Sequence, residues 1–273
     1  MPFGDHCQYK KFSDCTKAHS DKDDPAAYCA TIQDKTEEHC KRSMRIELRR
    51  KVLHVAAIRQ AVDDTYEWDE DKHHYLRDGA VVSLATILTL RDQLLDAQYA
   101  DAIELADALE EDGDLEAWQE AMRDLIQETH SAAYMLGRGG INFTQAAERL
   151  ALAGIVTAQF EYLRQFAADV QAGKVSIADA RNRASQYMSS ATYAFSLGFA
   201  DAYGDELQLP AYPGDGGSKC LMNCRCAWDI EEDTKEWRCY WIATGDDEQC
   251  TDCDDRAQLY NPYVQKRVVA AAA

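Results

Sequence analysis

The ten cysteines of this 273-residue chain sit only at its two ends. Cys7, Cys15, Cys29 and Cys40 form one group, Cys220, Cys224, Cys226, Cys239, Cys250 and Cys253 the other, and none lies between. Clustered thiols made in a reducing cytosol are metal ligands more often than disulfides, although a particle assembled in a cell and then released can oxidise later. The pattern predicts two crosslinked ends around a middle that must hold together by apolar burial. With 46% hydrophobic residues the chain can fill such a core.

The middle reads as helix. Five prolines and fourteen glycines leave long uninterrupted stretches, and the Val/Ile/Thr/Tyr alternation of strands is scarce before about residue 225. Met44 to Val62 has apolar residues at near-helical spacing and a basic first half. Gly79 to Tyr99 places Val82, Leu84, Ile87, Leu88 and Leu95 on one face and continues to Leu109. EEDGD at 110 to 114 stops it, with Gly113 suited to a left-handed turn and Asp114 to the next N-cap. Leu115 to Leu136 restarts with Trp118, Met122, Leu125 and Ile126 inward and ends at GRGG. Thr144 caps a helix to Gln171, AGK breaks it, and Ser176 caps another to Tyr203, the two forming a long antiparallel pair.

Charge limits the function. Forty-eight acids against twenty-nine bases give −19, which does not fit a protein that binds a phosphate backbone by counterion release. Residues 60 to 130 hold twenty Asp/Glu against four Lys/Arg, a balance of −16. Such a tract is either the solvated face of amphipathic helices or a surface for a basic partner. No run of eighteen apolar residues predicts a membrane span, and MPFGDHCQYKKFSDC has no apolar stretch after its basic residues, so synthesis in a cytosol is expected.

From Pro210 the composition changes, with Pro210, Pro213, Gly214, Gly216 and Gly217 ending helix. CLMNCRC (220 to 226) and CTDC (250 to 253) are two knuckle-like pairs separated by a predicted hairpin, Ala227 to Glu231 and Glu236 to Ala243, and a short helix follows over Asp252 to Tyr260. A zinc ribbon needs this order, in which two loops present thiolates to one tetrahedral ion. Cys220, Cys250 and Cys253 are assigned first, with Cys224 ahead of Cys226 for the remaining place and Cys239 left to pack within WRCYW. Disulfides among these cysteines are the alternative. Either way the role is structural, because a catalytic zinc keeps an open position and usually has His or carboxylate ligands, whereas all seven histidines precede residue 131.

At the other end, Cys15 and Cys29 bracket a charged turn in which DDP favours a helix start. Three readings stay open: a helical hairpin stapled by Cys15–Cys29 and also by Cys7–Cys40, a zinc knot of all four cysteines with His6 or His39 as substitutes, or reduced buried thiols. His73 and His74 with Asp69, Glu70 and Asp71 form a carboxylate–histidine cluster, read as a solvated helix end. No GxxxxGK[ST], HExxH or GxSxG is present, and LGRGG lacks the lysine and the strand of a phosphate loop, so no enzyme is predicted.

YMLGRGG (134 to 140), the stretch from AQFEYLRQF to FADAYG (158 to 204), LPAYPGDGGSKCLMNCRCAWDI (209 to 230) and CTDCDDRAQLYNPY (250 to 263) resemble minor head, or head morphogenesis, proteins of tailed bacteriophages. DKDDPAAYCATI is similar to a short motif that also occurs in phage head proteins. Cys7, Cys40 and Cys239 depart from that pattern. The resemblance implies a low-copy or accessory component of a virion head, located in the host cytoplasm during assembly, with portal or capsid proteins as partners and several copies per particle.

The expected fold is therefore mainly α: a helical bundle with a long antiparallel helix hairpin, plus a small Cys-rich, zinc-ribbon-like carboxy-terminal module with a β-hairpin. Residues 1–43 form a Cys-containing helical hairpin, 44–209 the helical domain with its acidic segment, 210–263 the zinc module and 264–273 a flexible tail. The rival function is a cytosolic zinc-ribbon regulator of nucleic acid or polymerase. That reading needs a basic face, yet Leu209 to Tyr263 sets Lys219, Arg225, Lys235, Arg238 and Arg256 against twelve acids.

Overall fold

A computed structural model describes residues 12–18, 20–22, 24–26, 29, 66–139, 146–204, 207–219, 224–243 and 250–267. The basic helix expected over 44 to 62, Thr144, and the cysteines Cys7, Cys40 and Cys220 lie outside these residues. The elements in chain order are α1 (Phe12–Ala18), β1 (Glu67–Asp69), β2 (His74–Arg77), β3 (Ala80–Val82), α2 (Leu84–Asp112), α3 (Leu115–Arg138), α4 (Ala146–Gln171), a 3-10 turn (Ile177–Asp179), α5 (Ala180–Ser189), α6 (Ala191–Ala202), β4 (Ala227–Glu232), β5 (Glu236–Ile242), α7 (Thr251–Leu259) and β6 (Tyr263–Lys266).

Helix boundaries follow local chemistry. Ser83 accepts the Thr86 N–H at the start of α2, and Gly113, at φ 70°, ends it by donating to the Leu109 carbonyl. Asp114 then caps α3 by accepting the Ala117 N–H at 3.0 Å. Ser176 and Asp179 form a capping box ahead of α5. The helix expected to run on to Tyr203 bends at Ser190. There the hydroxyl oxygen lies 2.6 Å from the Tyr187 carbonyl and 2.7 Å from His130 Nε2, an internal contact of the kind that bends helices.

Two apolar cores share the helices. Leu105, Leu109, Trp118, Met122, Leu125, Ile126, Leu163, Phe166, Tyr187 and Met188 fill one, between the second half of α2, the first half of α3, α4 and α5. The other joins Ile87 and Leu94 of α2, Tyr134 and Leu136 of α3, and Phe195 and Phe199 of α6 to both sheets. The expected hairpin of α4 against the following helix is not the main packing: α6 lies along α3, α5 along α2, and α4 also chiefly against α3. The reason is that α6 carries small residues, Ala191, Ala194, Gly198 and Ala202, that let α3 come close.

A three-stranded antiparallel sheet, β1-β2-β3, corrects the all-helical expectation for this part of the chain. Its strands are three or four residues long, too short to display a period of two. His73 therefore ends a turn and His74 opens β2, neither at a helix end: the Asp69 carboxylate accepts the Asp71 and Lys72 N–H groups, and His73 takes a positive φ of 49°. The sheet closes one end of the bundle. Tyr75 Oη donates to the Gly137 carbonyl at 2.6 Å, and Trp68 packs over Gly139 and edge-on to Tyr203 at 5.1 Å.

The second sheet has the order β4-β5-β6. The β4–β5 hairpin lies where the sequence places it, but β6 pairs Gln265 with Trp237, so the chain expected to be a tail from 264 is a strand through Lys266. Trp228, Trp241 and Tyr260 pack ring to ring, and the Trp228 indole donates to the Ala211 carbonyl at 2.9 Å. Trp228 and Trp237 belong to the same core as Leu94 and Phe195. The described residues of the second sheet are thus built onto the bundle.

Candidate metal centre

Cys250 is the N-cap of α7, and the Cys253 N–H donates back to the Cys250 carbonyl at 2.9 Å. A CxxC spacing wound into the first helical turn brings both sulfurs to one side, where Cys250 Sγ lies 3.3 Å from Cys253 Sγ. Across from them, the coil before β4 carries Cys224 and Cys226. Cys224 Sγ is 3.8 Å from Cys253 Sγ, and the sulfurs of Cys224, Cys226 and Cys253 all lie within 4.8 Å of one another. All three residues are buried, while Cys250 is half-buried. Lys219, immediately before Cys220, donates its N–H to the Asp252 carboxylate at 2.9 Å and its ammonium to Thr251 at 2.8 Å. The segment leading to Cys220 is thereby tied to the helix start that bears Cys250 and Cys253.

The donor set fits a thiophilic ion. Four sulfurs at about 2.3 Å around tetrahedral zinc stand about 3.8 Å apart, and the Cys224–Cys253 separation is 3.8 Å. The Cys224 thiol is pushed far above its ordinary value, first by its hydrogen bond with Cys226 and then by burial. Thiols so close together in an apolar site cannot all ionise unless a cation compensates them. Cys239 is different. Its place on β5 between Trp237 and Trp241 turns it into the core, burial pushes its thiol up to about 12, and it stands apart from the sulfur group, as a packing residue should.

Three of the five expected ligands, Cys224, Cys226 and Cys253, therefore come together, Cys250 adjoins them, and Cys220 lies outside the described residues. Cys226 is as much a part of the group as Cys224, which sequence spacing ranked ahead of it. These described carboxy-terminal cysteines carry thiols, whereas Cys15 and Cys29 are joined in a disulfide with 6.0 Å between their Cα atoms. That bond removes two thiolates from the zinc knot considered for the amino terminus and favours the stapled turn.

The coil that holds Cys224 and Cys226 is fixed by a residue that belongs to no cysteine motif. Arg91, fully buried in α2, donates from Nη1 to the Cys226 carbonyl at 2.9 Å and from Nη2 to the Arg225 carbonyl at 2.7 Å. Its guanidinium lies 5.3 Å from the Phe195 ring centre, and Nε bonds Asp92 at 3.0 Å. Burial lowers its basicity and the Asp92 carboxylate opposes that shift. The available signal was a charged residue within the apolar stripe of Ile87, Leu94 and Leu95. Arg225 in turn pairs with Asp92 at 3.3 Å and Asp96 at 3.0 Å, and Arg181 pairs with Asp107, so part of the acidic tract is satisfied within the chain.

Two histidines away from the thiols are also tied into the fold. His130 is fully buried between the Ile126 carbonyl, 2.8 Å from Nδ1, and Ser190, 2.7 Å from Nε2. His73 contacts the Glu232 carboxylate, which Arg267 also contacts, joining the β1–β2 turn to the β4–β5 turn. No helix among the described residues is long and apolar enough to cross a membrane. No family model, curated protein or solved structure matches the chain.

Proposed function

We propose that this protein is a structural component of a tailed-phage head, in which a zinc–thiolate clamp fixes the carboxy-terminal segment to a helical bundle that contacts portal or capsid protein. The buried cysteine cluster carries the reading, because a closed all-sulfur site serves architecture better than turnover. Cys224, Cys226 and Cys253 would hold the ion, with Cys250 or Cys220 as the fourth ligand. Bound zinc would supply a redox-inert crosslink between the coil before β4 and the start of α7. The segments that resemble head morphogenesis proteins support the choice of particle: YMLGR (134 to 138) ends α3, the long stretch from 158 runs from the second half of α4 through α6, and the cysteine stretches lie on either side of the β4–β5 hairpin.

Elemental analysis of purified protein should give about one zinc per chain, and replacing Cys250 and Cys253 together by Ser should abolish it; unchanged metal would overturn the clamp. Mass spectrometry of purified heads should recover peptides of α2 to α6. Their absence from mature and immature heads alike would overturn the virion assignment.

A further inference from the structure

We infer that Arg91 is the positioning residue of the metal centre: its guanidinium holds the Cys224–Cys226 coil in ligand geometry from the helical bundle. The inference rests on the metal reading above and adds to it a residue far from the cysteines in sequence. A fully buried guanidinium costs desolvation that an apolar side chain at this position would avoid. Its bonds show what offsets that cost. Two donors grip consecutive carbonyls, those of Arg225 and Cys226, at 2.7 and 2.9 Å. Fixing two successive peptide planes fixes the direction in which the Cys226 side chain leaves the backbone and restrains Cys224 two residues earlier.

The strap is anchored on both sides. Arg91 is held to α2 by Asp92 and lies over Phe195 of α6, while the Arg225 side chain reaches back to Asp92 and Asp96 on the same helix. One half of the thiol set is therefore prearranged by helices, and the other half by the first turn of α7. The positive charge also suits the place, since four thiolates around a divalent ion leave surplus negative charge in a buried site. An outer residue that orients ligands in this way contributes to affinity without touching the ion.

The test is zinc affinity, measured in the full chain by competition with a chromophoric chelator, together with the charge-transfer spectrum after cobalt(II) substitution. Arg91→Met should weaken zinc binding by about 10–100-fold and alter the cobalt–thiolate bands. Arg91→Lys keeps the charge but loses the fork, and should fall between Met and the parent protein; it carries the comparison if the Met variant does not fold. Leu105→Ala, in the other core of the same helix, is the control for lost stability alone and should leave affinity and spectrum as in the parent. Parent-like affinity in the Arg91 variants, or an equal loss in Leu105→Ala, would overturn the positioning role. A parent protein that takes up no metal would instead overturn the metal reading.

Discussion

Gly137, in the last turn of α3, and Gly198 of α6 form a reciprocal notch where the two helices cross. A Cβ on Gly137 would stand 2.9 Å from the Phe199 nitrogen and nearer still to the Phe195 carbonyl oxygen, and a Cβ on Gly198 would stand 3.0 Å from the Tyr134 carbonyl carbon and nearer still to its oxygen. Each helix thus lays its backbone on the glycine of the other. The Gly137 carbonyl is also the acceptor for Tyr75, so the crossing and the first sheet share a residue.

Alanine at either glycine would force the two backbones apart. Gly137→Ala and Gly198→Ala should each cost about 1–3 kcal/mol, the range for overpacking a filled core. Urea unfolding should show lower midpoints with unchanged slopes, and parent-like midpoints would mean that the helices can separate without loss.

His130 should make stability fall on acidification. Complete burial lowers its pKa from 6.5 to about 4 in the folded chain. Between these values the unfolded chain binds a proton that the folded chain refuses, so stability is full above pH 6.5, decreases down to pH 4 and then levels off. The loss is on the order of 3 kcal/mol. Unfolding free energies measured across this window should show the slope, and His130→Gln should flatten it.

Removing the proposed zinc should loosen the carboxy-terminal segment before the bundle. Trp228, Trp237 and Trp241 share a core with Cys224, Cys226 and Cys253, so a strong chelator should red-shift tryptophan emission. Far-ultraviolet helicity should largely persist, because α2 to α5 also bury a second core that contains none of these cysteines. Emission unaffected by chelation would argue that packing alone holds the segment.

Glu232 ties the two sheets through His73 and Arg267. All three side chains are partly exposed, so the network should contribute only about 1 kcal/mol, less at high salt. Glu232→Ala should lower the melting temperature slightly and increase amide exchange in both the β1–β2 and β4–β5 turns. A change confined to one turn would show that the bridge does not couple them.

Much of the helical layout was legible because its signals are local. Gly113, Asp114 and Ser176 act on backbone groups within a few residues, and each occupies its expected cap position. CTDC was equally legible, since a CxxC in a helical first turn juxtaposes its sulfurs whatever surrounds it. The sequence by itself therefore determined where most helices stop, where the β4–β5 hairpin lies and which cysteines carry the candidate chemistry. Only the tertiary structure decided the partners. Strands as short as β1 to β3 have no visible period and exist because Tyr75 and Trp68 find Gly137 and Gly139 far along the chain. Arg91 gains its meaning from carbonyls 134 and 135 positions away. Helix pairing likewise departed from chain order, because close approach depends on small residues meeting across a crossing, a property of two surfaces that neither segment states alone.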